Sequence, residues 1–143
     1  MSVVYSDFSQ YLRRKLVDHA LGTTEFTMPT TVYVSAYQGD PFSSGTEIDD
    51  DTHTEYERQA CTFAAADTNG DAASDEDVTW AQAVAAWSTS GSPIDYAGLH
   101  DAATGGNLLA RVPLNPSKVI GVGDTLTIPT GDLHVSDPAS ITV

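Results

Sequence analysis

The stretch Thr31-Val32-Tyr33-Val34-Ser35-Ala36-Tyr37 decides the fold class. β-Branched and aromatic side chains alternate at period two, and the run stops at Gly39-Asp40-Pro41, a turn sequence. Working outward, further candidate strands lie at residues 55–64, with Tyr56, Arg58, Ala60 and Thr62 on one side, and at 78–81, 94–100, 107–112, 125–129, 133–136 and 140–143. Gly/Asp/Thr turns at 101–106, 121–124 and 130–132 connect them. Short strands at such regular spacing predict a mainly β chain: one antiparallel, jelly-roll-like β-sandwich domain over residues 1–143. Residues 82–87, Gln82-Ala83-Val84-Ala85-Ala86-Trp87, fit a helical turn by their alanine content. The flanking strand signals and Trp80 favour a strand crossing the core.

One helix precedes the strands. Phe8, Leu12, Leu16 and Ala20 recur at helical spacing, with Tyr11 and Leu21 beside them, which predicts a helix over residues 6–21. Ser6 is the expected N-cap, Asp7 lies in the first turn and Gly22 supplies the stop. Arg13, Arg14 and Lys15 hold three of the chain's six basic residues. They fit a solvated helix face, and equally a face that docks on an acidic neighbour. Phe8, Tyr11, Leu12, Arg13, Arg14, Lys15 and Leu16 are the candidate docking residues.

Composition narrows the partners. The chain has 143 residues, 41% of them hydrophobic, so one core can form without disulfides or metals. Twenty acids against six bases give a net charge of -14, which repels a phosphate backbone and argues against nucleic acid. Fifteen of the acids are Asp and five are Glu, a short-stemmed, strongly hydrated coat suited to high salt, so a halophilic source is the expectation. Eleven of the acids fall in residues 47–77, which read as a solvated loop region with Asp49-Asp50-Asp51 at a tip. Cys61 is the lone cysteine; it excludes an intramolecular disulfide and reads as a buried, inert thiol. No apolar segment precedes Arg13 as in a secretory signal, and no run approaches membrane-spanning length, so no membrane insertion is expected.

Signs of chemistry are sparse. Asp67-Thr68-Asn69-Gly70-Asp71 offers oxygen ligands at alternate positions, as a calcium loop does. Yet Ala72 stands where that loop needs glycine, and Val78 where it needs a bidentate Glu. A solvated acidic loop is the first reading; a weakly bound calcium or magnesium ion held by Asp67, Asn69 and Asp71 is the second. No other cofactor is expected. His19, His53, His100 and His134 lack metal-ligand spacing, and there is neither a Gly-x-Ser-x-Gly elbow nor a phosphate-binding glycine loop. No catalytic residue is assigned, and an enzyme is not expected.

Five segments together carry a resemblance: Tyr11-Leu12 through Leu21-Gly22; Pro29 to Ala36 with Asp40-Pro41; Tyr56-Glu57-Arg58-Gln59-Ala60; Gly98-Leu99-His100-Asp101-Ala102-Ala103-Thr104-Gly105-Gly106-Asn107-Leu108-Leu109; and Gly123 to Leu133. The chain resembles, from about residue 8 to 136, a family of small tailed-virus virion proteins labelled phage tail-fibre or tail proteins, with the Gly98–Leu109 block the most specific part. The resemblance implies a non-enzymatic β-sandwich component of a virion, made in the host cytoplasm. Its expected partners are itself, as a homo-oligomer, and other capsid or tail proteins. Capsid decoration and a tail position are both compatible. The alternative is host attachment, in which loops bind a cell-surface glycan or protein and Tyr37, Phe42 and Tyr96 supply stacking faces. The acidic 47–77 region departs from the family pattern and points to a virus of a halophilic archaeon.

Overall fold

A computed structural model describes residues 8–136 of the chain. The deciding stretch becomes β1 (Val32–Gln38), the centre of the main sheet. The elements around it are α1 (Gln10–Ala20), β2 (Thr46–Glu47), β3 (Gln59–Cys61), β4 (Asp71–Ala73), β5 (Val78–Thr79), β6 (Ile94–His100), β7 (Leu108–Lys118), β8 (Thr127–Ile128) and β9 (His134–Ser136). The main sheet runs β2-β1-β6-β7, with β3 pairing the start of β1 on the edge where β2 pairs its end. β4 with β9 and β5 with β8 form two small sheets, and every pairing is antiparallel.

Register sorts the side chains into two faces. Val34 opposes Leu99, Ala36 opposes Ala97, and these continue to Ala110 and Val112 on β7. All six are buried, and they pack on Val78, Trp80, Ala83, Trp87, Ile120, Leu126, Ile128 and Leu133 in one core. Alternation in β1 and β6 thus buries one face of the sheet under a second layer, as a sandwich requires. The mainly β, antiparallel architecture with a leading helix agrees with the sequence. Tyr33, Ser35, Tyr37, Tyr96, Gly98, His100 and Arg111 occupy the other face by the same register. β7 is the edge strand on its side of the sheet, where its prolines, Pro113 and Pro116, are tolerated.

Three local expectations change. The helix begins at Gln10, with Ser9 rather than Ser6 as its cap: the Ser9 hydroxyl accepts from the Leu12 N–H at 3.1 Å. Phe8 is not helical, because it forms a β-bridge to Ala110 while the Ser9 N–H donates to the Leu109 carbonyl at 2.7 Å. Ser6 and Asp7 lie outside the described residues, as does the strand expected at 140–143. Gly22, at φ +71°, ends the helix as expected.

Residues 82–87 are not a strand. Ala83 and Trp87 point inward, four positions apart, and Val84, Ala85 and Ala86 between them are exposed. Their backbone partners are loop groups: Ala83 N–H donates to Asp124 O at 2.9 Å and Trp87 N–H to Ile120 O at 2.9 Å. Two tryptophans in the core therefore marked burial, not a ladder. Nor is the 47–77 region a plain solvated connection, since it contains β3 and β4. Asp49, Asp50 and Asp51 are exposed in a turn, in keeping with a loop tip. Cys61 is buried, and burial pushes its thiol up to about 11, which keeps it protonated and inert.

Candidate functional site

The motifs that carry the resemblance converge. Arg58, just before β3, reaches Glu47 on β2 through two parallel bonds, Nε to Oε1 and Nη2 to Oε2, each 2.8 Å. Its remaining nitrogen, Nη1, donates to the carbonyls of Ala102 and Gly105, at 3.0 and 2.8 Å, in the loop joining β6 to β7. One planar guanidinium thus ties the acidic segment to the Gly98–Leu109 block, using the fork geometry that lysine lacks. The tyrosine of the same motif completes the cluster. Tyr56 Oη donates to Glu47 Oε1 at 3.0 Å and accepts from the Ala36 N–H at 3.0 Å. Burial and the neighbouring Glu47 raise its phenol far above the ordinary value, so it stays neutral.

The hairpin loop is locked from within as well. Asp101 accepts from the backbone N–H and side-chain amide of Asn107, at 2.7 and 2.9 Å, closing the loop at its base. Gly106 has φ +70°, and a Cβ there would stand 2.4 Å from Asp101 Oδ1. Glycine is required at this position by both conformation and space. The Asp101-to-Asn107 sequence is therefore accounted for by turn structure.

Beneath the loop, on the outer face of the sheet, His100 Nε2 lies 2.9 Å from Ser35 Oγ. The spacing is that of a nucleophile and its base, yet Ser35 is 0% exposed and its hydroxyl donates to Gly98 O at 3.1 Å. With that hydrogen committed, the histidine must donate from Nε2, which leaves Nδ1 unprotonated; Nδ1 is buried with no partner. No substrate reaches this pair. Burial, helped by the positive Arg58, lowers His100 to about 4. Because the folded value lies below the ordinary 6.5, the neutral ring stabilises the fold above pH 6.5, and that contribution is lost as pH falls towards 4. Chemical denaturation across this window is expected to show wild-type stability declining more steeply than that of His100→Asn. Matching profiles would contradict the assignment.

A cleft of about 480 Å³ lies between the segment from Thr46 to Arg58 and the hairpin loop. Glu47, Asp49, Asp50 and Glu57 line it, with Arg58 already bound to Glu47. On the outer face, Arg111 pairs with Asp40 and lies over the rings of Phe42 and Tyr96, at 4.4 and 5.9 Å, and Tyr37 stacks on His100. Tyr37, Phe42 and Tyr96 are therefore engaged side chains outside the core.

The candidate cation ligands sit in one turn. Asp67 Oδ1 accepts from the N–H groups of Asn69 and Asp71, at 2.8 and 3.0 Å. Those bonds, from Asp71 first, hold its carboxyl below the usual range. Asp71 Oδ2 is 3.0 Å from His134 Nδ1. Asp67 and Asp71 thus act as hydrogen-bond acceptors in the turn and at the β4–β9 pair. The candidate docking residues are spread along α1 and its approach. Tyr11, Leu12 and Lys15 are half-buried, Arg13, Arg14 and Leu16 are exposed, and no helical residue is fully buried.

Sequence reasoning missed Glu47 and Glu55. Glu55 Oε1 accepts from the Trp87 indole N–H at 2.8 Å and from the Val84 N–H at 3.1 Å. Both lie in a segment whose acids suggested solvent. A single acid preceding Tyr56 and Arg58 carries no signal of its own. No helix of the described residues is long and apolar enough to cross a membrane.

A family model described as Podophage GP4 fiber I protein gp80 matches residues 7–136. No curated protein matches the chain.

Proposed function

We propose, from the premise that the chain belongs to this podophage fibre family, that it is a non-enzymatic structural component of a tailed-virus particle, seated in its tail or fibre. The observation that carries the reading is the match over residues 7–136, which takes in every described residue. The geometry supports it in kind. The most specific motif is consumed in fixing a hairpin, and the Ser35–His100 pair is buried, which suits a rigid assembly module more than a reactive site. The helix α1 is the docking element for neighbouring virion proteins, other copies included, because it carries half the bases of an acidic chain and buries none of its side chains fully. The Asp-rich surface suits assembly in high salt, where repulsion between crowded acidic bodies is screened, and this favours a halophilic host.

Particles purified from infected cells test the reading by quantitative mass spectrometry. The chain is expected at a fixed, low ratio to the major capsid protein. A ratio near one would instead place it as capsid decoration, and absence from particles while abundant in the lysate would refute a virion role. A host-attachment role draws on one observation, the half-exposed Tyr33, Tyr37 and Tyr96 on the outer face.

A further inference from the structure

The main sheet ends at β7, and the start of that edge is already covered from within the chain. Phe8 forms an antiparallel bridge to Ala110, and the Ser9 N–H donates to the Leu109 carbonyl at 2.7 Å. Phe8 also packs against the core. The bridge fixes a direction: the chain before Phe8 leaves towards Val112 and beyond, on the flank of β7 that β6 does not occupy. Backbone groups alternate sides along a strand, so those of Leu109, Arg111 and Pro113 face this flank. Pro113 has no N–H to leave unpaired there.

Further along β7 lies an apolar groove of about 440 Å³, whose lining includes Pro113, Leu114 and Pro116 and, across from them, Leu126, Ile128 and Pro129. β6 does not follow β7 this far in register. Tyr96 pairs Pro113 and Ile94 pairs Lys118, so residues 114–117 have no partner on β6.

We infer that the segment before Phe8, residues 1–7, which lie outside the described residues, continues the Phe8 bridge along β7 as an added antiparallel strand and covers this groove. The bridge supplies the register. Continued outward, it sets Ser6 opposite Val112, Tyr5 opposite Pro113 and Val4 opposite Leu114. Val4 then meets a residue that packs on the core and borders the groove. Tyr5 falls beside Pro113, whose partner on β6 is Tyr96. Composition agrees, since Val3-Val4-Tyr5 is a strand-forming run and residues 1–6 carry no charged side chain, which suits apolar surface. Reach agrees as well. Seven residues at about 3.3 Å each span roughly 23 Å, enough to run past Pro116. The consequence bears on assembly: an unpaired edge is a template for pairing with a neighbour, and a copy whose own segment covers β7 cannot join others edge to edge there.

Disulfide trapping on the full chain tests this. The Ser9–Leu109 bond makes residues 8 and 110 a non-hydrogen-bonded pair, and every second pair outward repeats it. Val4 and Leu114 therefore fall at a Cα spacing of about 4.5 Å, which a disulfide accepts. Val4→Cys/Leu114→Cys is expected to oxidise to an intrachain bond, read as a faster single-chain band on a non-reducing gel. Val3→Cys/Leu114→Cys, with residue 3 on the opposite face, is expected to stay reduced; native Cys61 is buried and takes no part. Circular dichroism verifies that both variants fold. Hydrogen exchange on wild type needs no substitution: the Tyr5 and Asp7 amides, aimed by this register at the Pro113 and Arg111 carbonyls, are expected to exchange at least roughly tenfold more slowly than free chain. No bond at Val4, equal bonding at Val3, a bond joining two chains, or unprotected amides at Tyr5 and Asp7 would overturn the inference. Any of these would leave a virion role standing, since that role is decided by particle composition.

Discussion

Arg58→Ala is expected to destabilise the fold by about 2–3 kcal/mol, because it removes the charge-assisted hydrogen bonds of a half-buried ion pair. The Arg58 side chain is 11% exposed and that of Glu47 22%, so the remaining carboxylate recovers only part of its hydration. The same substitution strips the hairpin carbonyls of Ala102 and Gly105 of their donor. Tyr56 loses its fixed acceptor geometry as Glu47 relaxes, and with it the cap on the Ala36 N–H at the centre of the sheet. A chain of this size should melt roughly 10 °C lower. Arg58→Lys keeps the charge but cannot serve Glu47 and two carbonyls at once, so it should fall between the two. Thermal unfolding followed by circular dichroism measures both. A change of less than about 2 °C for the alanine variant would show that the guanidinium does not hold the hairpin.

The clamp also indicates what a sequence can reveal and where it stops. β1 and β6 are legible because each is seven residues long and turns its apolar residues, Val34 and Ala36, Ala97 and Leu99, to the same core, so period two survives in the residue order. β2 and β4 have two and three residues and leave no period to read. Residues 82–87 misled because Trp87 and Ala83 are buried without a ladder. The helix boundary moved because Ser6 and Ser9 are equivalent as residue types, and only the β-bridge at Phe8 decides between them. Within the candidate site, Arg58 and the Gly98–Leu109 block were visible as motifs. Their union was not, because the bonds span 44 and 47 residues. The acids of residues 47–77 point to solvent by composition, yet Glu47 and Glu55 act as fixed acceptors. A short acid gives the same sequence signal in either role.

The largest functional effect is expected at α1. Reversing Arg13, Arg14 and Lys15 to Glu leaves the fold intact, for Arg13 and Arg14 are exposed and Lys15 makes only a 5.9 Å contact with the Tyr11 ring. Glutamate is as good a helix former as the residues it replaces. The Ser9 cap and the Phe8–Ala110 bridge, which seat the helix on β7, are untouched. What changes is the sign of the only basic cluster on a strongly acidic protein, so attraction towards acidic neighbours becomes repulsion.

If α1 joins the chain to the particle, the number of copies of the triple-reversal chain in purified particles, relative to the major capsid protein, must fall. The expected result is a folded protein in the lysate and a loss of roughly tenfold or more from the particles; incorporation at the wild-type level would contradict the account.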